Sequence, residues 1–232
     1  NNNCLKKLGR VHDKAQAIDA ITTAKELEFN LNLDLMHGLP GQNLDDALDD
    51  IKTAITFAPN HLSWYQLTLE PNTEFAKKPP MLPSENILDD IYCDGMEYLA
   101  NNGYKQYEVS AFAKDSRYQS QHNLNYWRFG DYIGIGAGAH SKLTKDFIVT
   151  RIWKQKSPTR YLNNTINKIS GESKLTTKEL ILEYMMNKLR LLEPILETDF
   201  SFYTNLKFSD IDQQILKTAE NNNWLIVKNN FI

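Results

Sequence analysis

Apolar and polar positions alternate regularly along the front of the chain and irregularly behind it. Asp13 followed by Gln16 three residues on is a capping-box pattern, and Ala17, Ile18, Ile21, Ala24 and Leu27 recur behind it at helical spacing, which predicts a helix over 14–28. Residues 31–36 (LNLDLM) predict a short strand, broken by His37-Gly38-Leu39-Pro40-Gly41. Asn43 is placed to cap the next helix, with Asp45 and Asp46 in its first turn, where the peptide dipoles favour negative charge. Leu44, Leu48, Ile51 and Ile55 mark its inner face and Pro59 ends it. A second strand over 62–69 (LSWYQLTL) leads into a loop through Pro79, Pro80 and Pro83. A long helix behind Ser84 then closes at Asn102-Gly103, and a third strand covers 106–109. Helix and strand thus alternate three times, the rhythm of a parallel sheet with helices packed outside it. Sites in such folds sit at the C-terminal ends of strands, where Asp34 and Thr68 fall.

Beyond Ser141 the rhythm changes. Residues 142–172 are polar and show no clear period. Thr176 and Glu179 form a second capping box, ahead of a helix over 177–192 that is apolar on more than one face and so reads as buried. Ser209 caps a further helix through Ile211, Ile215 and Ala219, and 224–227 (WLIV) reads as a strand. Helices followed by a short strand suggest a small winged-helix-like domain.

Composition narrows the possibilities. The 232 residues, 41% hydrophobic and 24% charged, describe an ordinary soluble chain large enough for one domain or two. A net charge of −3, with no Lys/Arg face on the tail helices, gives no footprint for nucleic acid. No apolar run approaches the ~18 residues of a membrane helix. Two cysteines, Cys4 and Cys93, form neither a disulfide framework nor a ligand pattern, which fits a reducing cytoplasmic compartment. The chain starts Asn-Asn-Asn-Cys and stops on Phe231-Ile232, and reads as a piece of a longer protein.

The densest chemistry lies in 104–141. From His122 to Ser141 (HNLNYWRFGDYIGIGAGAHS) the chain concentrates histidines, asparagines, aromatic rings and alternating glycines. Aromatic faces beside a glycine-thinned backbone suit a flat ligand. A tightly packed barrel corner with satisfied core histidines is the other reading. Gly134, Gly136 and Gly138 are spaced GxGxG and lead into no helix start, which excludes a dinucleotide loop. Asp34 either caps the following turn or accepts hydrogen bonds from a ligand's hydroxyl or ammonium groups. Arg10 by itself reads as solvated or structural, and His37 and His61 read as turn or surface residues.

Five stretches, LGRVH (8–12), NLDLMHGLPGQ (32–42), LSWYQLTLEPNTEF (62–75), YEVSAFA (107–113) and the segment from His122 to Ser141, together resemble the HemW family of heme chaperones. These are radical S-adenosylmethionine proteins related to the oxygen-independent coproporphyrinogen III oxidase, HemN. HNLNYW fits the HNxxYW element that separates HemW-like members from the oxidases. Lys114-Asp115-Ser116 departs from the Lys-Pro-Gly turn common in the family.

The resemblance implies an α/β fold: the C-terminal half of a partial (β/α)6 TIM-like radical S-adenosylmethionine barrel over 1–145, a linker over 146–174, and a truncated, mostly helical winged domain over 175–232. It implies S-adenosylmethionine contacts at Arg10 and Asp34. It also implies a heme site with His122 as iron ligand, Asn123 orienting its imidazole, Tyr126 and Trp127 stacking on the macrocycle, and His140 as a second candidate ligand. The implied cofactors are S-adenosylmethionine, heme and a [4Fe-4S] cluster whose CxxxCxxC ligands are not in this chain, so the chain alone is expected to be inactive in radical chemistry. The implied partners are heme and heme-acceptor proteins such as respiratory enzymes, with membrane association only through the acceptor. Decarboxylation of coproporphyrinogen III and a ligand-free interaction module are the alternatives.

Overall fold

A computed structural model describes residues 1–163, 167–228 and 231–232; parts of the expected linker (164–166) and tail (229–230) lie outside the described residues. By contact density the chain divides into two compact units, Asn1–Gln119 and Ser120–Ile232. The division comes well before the expected boundary at 145, because the HNLNYW segment and the strands behind it pack with the tail.

In the first unit, local signals give the helices. The six-residue α1, Asn2–Lys7, is followed by α2, Lys14–Glu26, whose Asp13/Gln16 capping box is closed in both directions. Strand β1, Asn32–His37, leads to α3, Leu44–Thr56, capped by the Asn43 side chain. Strand β2, His61–Gln66, is three residues shorter at its end than the period suggests. A one-turn helix α4, Glu74–Lys77, occupies the loop before α5, Glu85–Asn101. The expected third strand is a hairpin of two, β3, Lys105–Glu108, and β4, Ala111–Ala113.

The sheet order is β1-β2-β4-β3. β1 and β2 are parallel, as the crossover through α3 requires. The β2–β4 and β3–β4 pairs are antiparallel, so the sheet is mixed rather than wholly parallel. The reason is connection length: β3 and β4 are too close in sequence for a crossover and can only fold back. Ile51, Leu62, Trp64, Ile91 and Leu99 fill the layer between the sheet and α3/α5, each 3% exposed or less.

The second unit holds α6, Gln121–Trp127, and a three-stranded antiparallel sheet of β5, His140–Lys145, β6, Ile148–Lys154, and β7, Ile169–Lys174. The stretch expected as irregular linker therefore carries two strands and a short helix, α7, Pro158–Asn163. Then come α8, Thr177–Lys188, with the Thr176/Glu179 capping box; α9, Glu197–Thr204; and α10, Gln213–Asn221, capped by Asp212 rather than Ser209. α8 buries one stripe, Leu180, Tyr184 and Lys188, and leaves Leu182 and Met186 exposed, so it is not buried on several faces. The expected strand at 224–227 does not form; Trp224 and Ile226 are exposed, and the described residues of the chain end make isolated bridges at Lys228 and Phe231 and a pair of backbone hydrogen bonds between Ile232 and Ile195. Phe129, Val149, Tyr184, Ile195 and Phe200 centre this unit's core. Among the described residues no helix is long and apolar enough to cross a membrane.

Candidate functional site

The period-two geometry of β1 and β2 builds one polar wall. Alternate residues of a strand point to opposite faces, so Leu33 and Leu35 join the helix-layer core while Asn32 and Asp34 share the other face. The parallel register sets Asn32 beside His61 and Asp34 beside Ser63. Asn32 Nδ2 donates to Asp34 Oδ1 at 2.8 Å, and Asn32 Oδ1 meets His61 Nδ1 at 2.6 Å and the Ser63 hydroxyl at 3.2 Å. His61 Nε2 lies 2.7 Å from the Tyr107 hydroxyl. Burial holds His61 below its ordinary pKa, with the Asp34 charge pulling the other way.

Arg10 arrives at the same place by a helix C-terminus. Gly9, at φ +68°, donates to the Lys6 carbonyl and Arg10 N–H to that of Leu5, the paired bonds of a Schellman motif. Only a residue free to adopt positive φ ends α1 this way, which accounts for Leu-Gly-Arg. Arg10 and Asp34 then line one cavity of about 460 Å³, together with Leu8, Ile18, Ile21 and Tyr65. Among the described residues the Arg10 side chain makes no ion pair or hydrogen bond, and the second Asp34 oxygen accepts none. A free guanidinium fork and a free carboxylate oxygen on apolar walls match a ligand carrying a carboxylate and an ammonium or hydroxyl group, and the amino-acid end of S-adenosylmethionine fits that description.

Several expectations need correction. Asp34 lies mid-strand, not at the strand end, and caps no turn. Thr68 is exposed, bonded to Glu70 and outside the cavity lining, so the parallel pair does not put it in Asp34's cleft. His37 and His61 are not surface residues: they are 3% and 5% exposed. His37 packs on Trp64 at 4.3 Å between ring centres, and its Nδ1 has no partner among the described residues.

In the second unit, HNLNYW makes up all of α6 but its first residue. His122 is exposed and its ring meets Tyr126 edge-on at 4.9 Å, as residues four apart on a helix do. Tyr126 continues to Tyr132 at 4.6 Å. Trp127 is one position further round and stacks instead under the Arg190 guanidinium, 4.3 Å from its ring centre. The Asn123 side chain makes no bond to His122, since neighbouring helical residues point about 100° apart. His140, the first residue of β5, is exposed. One accessible imidazole beside aromatic edges is compatible with heme, with Tyr126 rather than Trp127 as its ring neighbour. Among the described residues no three His, Cys, Asp or Glu side chains converge to hold a metal ion.

No protein-family profile matches the chain. It is 47% identical over 217 residues to a Haemophilus influenzae protein named heme chaperone HemW, covering 93% of this chain and 56% of that protein. It is 48% identical over 204 residues to the Escherichia coli heme chaperone HemW, covering 87% of the chain and 53% of the relative. The chain belongs to the HemW family. It spans about half the length of the curated relatives it matches. The solved structure of Escherichia coli coproporphyrinogen III oxidase, HemN, described as a radical SAM enzyme, matches with a TM-score of 0.78 over 100% of this chain and 57% of that one, at 19% identity. That likeness is one of fold: part of a TIM-like barrel and a mostly helical domain.

For a HemW-family chain the motif positions Arg10 and Asp34 could be named from sequence. Asn32, His61 and Tyr107 could not, although the alternation in NLDLMH and HLSWYQ already sets Asn32 with Asp34 and His61 with Ser63 on shared faces.

Proposed function

We propose that this chain is the part of a radical S-adenosylmethionine heme chaperone that grips the S-adenosylmethionine through Arg10 and Asp34 and offers His122 to heme. The observation that carries the reading is the shared cavity: two motif residues, one at a helix end and one mid-strand, both with uncommitted polar groups, line the same space. The names of the relatives supply the heme. With an iron–sulfur cluster, bound S-adenosylmethionine supplies radical chemistry; Cys4 and Cys93 do not make up a CxxxCxxC cluster motif, and every role given to this chain is one of binding. Arg10 pairs with the ligand carboxylate, Asp34 accepts from its ammonium or hydroxyls, and the apolar wall excludes water. Heme held at His122, with Tyr126 against its edge, passes to acceptor proteins such as respiratory enzymes in the cytoplasm.

The test uses the full-length gene product. Heme titration followed in the Soret region should show a weaker, spectrally altered complex for His122→Ala. Arg10→Ala should lower S-adenosylmethionine affinity about tenfold, the worth of a charge-assisted hydrogen bond. A folded His122→Ala protein with unchanged affinity and spectrum would move the ligand to His140, and conversion of coproporphyrinogen III by the cluster-loaded protein would make it an oxidase instead.

A further inference from the structure

Asn32 lines the cavity beside Asp34, and the polar wall continues behind them to His61 and Tyr107, which do not touch it. Asp34 is held from behind by Asn32, Asn32 by His61, and His61 by Tyr107. We propose that Asn32 and His61 form a one-directional hydrogen-bond relay that fixes the Asp34 carboxylate, so that its second oxygen selects ligand groups that donate hydrogen bonds. The proposal rests on the reading of Asp34 as a ligand contact.

The direction follows from what each group can do. A carboxylate only accepts, so the Asn32 end that meets Asp34 at 2.8 Å is the amide N–H, and Asn32 Oδ1 faces the other way. An amide oxygen also only accepts. His61 Nδ1, at 2.6 Å from it, therefore carries the proton, as does the Ser63 hydroxyl at 3.2 Å. That is the reverse of the tautomer that prevails for a histidine side chain in water. In the neutral ring Nε2 then has a lone pair and accepts from the Tyr107 hydroxyl at 2.7 Å. Every donor points the same way, from Tyr107 through His61 and Asn32 to Asp34.

The chain is anchored where it is deepest. His61 is 5% and Tyr107 9% exposed, and their rings meet edge-on at 5.6 Å. Asn32 and Asp34 are exposed and would otherwise sample several rotamers. Fixing one carboxylate oxygen fixes the other, and a relay rooted in buried groups and polarised toward a negative one is stiffer than its separate bonds. The parallel register is what makes this possible, because it sets Asn32 directly beside His61. Asn32 and His61 are thus positioning residues that act through Asp34.

The test measures S-adenosylmethionine affinity by equilibrium dialysis in the full-length gene product, with thermal melting as a check on folding. Asp34→Ala should weaken binding about tenfold or more, and Asn32→Leu and His61→Leu each by about threefold to tenfold. Neither should add a further loss to Asp34→Ala. His61→Asn, whose amide N–H takes the place of Nδ1–H, should keep near-native affinity, which a merely volume-filling role would not predict. If Asp34→Ala leaves affinity unchanged, the ligand reading of Asp34 falls and the positioning role with it. If Asp34→Ala weakens binding while folded Asn32→Leu and His61→Leu bind normally, the relay alone is overturned. Should the leucine variants unfold, nitrogen-15 spectra of histidine-labelled native protein decide: the Nδ1–H tautomer at His61 is required, and an Nε2–H tautomer overturns the relay.

Discussion

Gly95 offers a sharp test of how the first unit is packed. It lies inside α5, where replacing glycine by alanine ordinarily stabilises a helix by about 1 kcal/mol. Here a Cβ would sit 2.6 Å from Trp64 Cζ2 and closer still to Cη2. The indole cannot step aside. It is 3% exposed, its centre is 4.3 Å from the His37 ring, and Tyr92 and Phe112 lie at 6.2 and 6.3 Å. Overpacking a rigid neighbour costs about 1–3 kcal/mol; set against the helix gain of about 1 kcal/mol, Gly95→Ala should be a net loss of up to about 2 kcal/mol. In a Trp64→Leu background the obstacle is gone and only the helix term remains, so the same substitution should become neutral or stabilising. Urea midpoints from far-ultraviolet circular dichroism, measured on all four proteins of the cycle, give the coupling directly. An equal cost in both backgrounds, or a gain in the native one, would refute the contact.

Two further outcomes arise from buried polar groups. His37 is buried with Nδ1 unpaired, and burial lowers its pKa from 6.5 to about 4. Between those values the unfolded chain binds a proton that the folded one refuses. Stability should therefore be full above pH 6.5 and fall by about 3 kcal/mol as pH drops to about 4, a slope that His37→Leu should remove. Denaturant midpoints across that range check it, and a wild-type profile no steeper than the variant's would contradict it. Tyr184 is fully buried and its hydroxyl has no partner among the described residues, so Tyr184→Phe should leave thermal stability of the second unit unchanged or raise it by about 1 kcal/mol. A loss above about 1.5 kcal/mol would mean that the hydroxyl is bonded after all.

The sequence by itself determined the features whose causes are local. The Asp13/Gln16 and Thr176/Glu179 capping boxes and the Asn43 cap start α2, α8 and α3 where the residues say, because a cap is a contact between neighbours three apart. The parallel pairing of β1 with β2 was equally legible, since a helix between two strands demands a crossover. Motif resemblance supplied Arg10 and Asp34.

Tertiary structure decided what depends on distant partners. Strands β5–β7 escape a periodic reading because they are held by ladders to one another, and among their described residues only Val149 enters the buried apolar cluster of the second unit. The hairpin at β3–β4 turns a parallel rhythm into a mixed sheet through a two-residue link, too short to register as a pattern. His37 and His61 look alike in sequence, each beside a turn. Register and face alone put one against Trp64 with a nitrogen unpaired and set the other between Asn32 and Tyr107 with both nitrogens bonded. Arg10 and Asp34 likewise come to line one cavity because a Schellman turn and a strand face meet there, a coincidence of space that no spacing along the chain encodes.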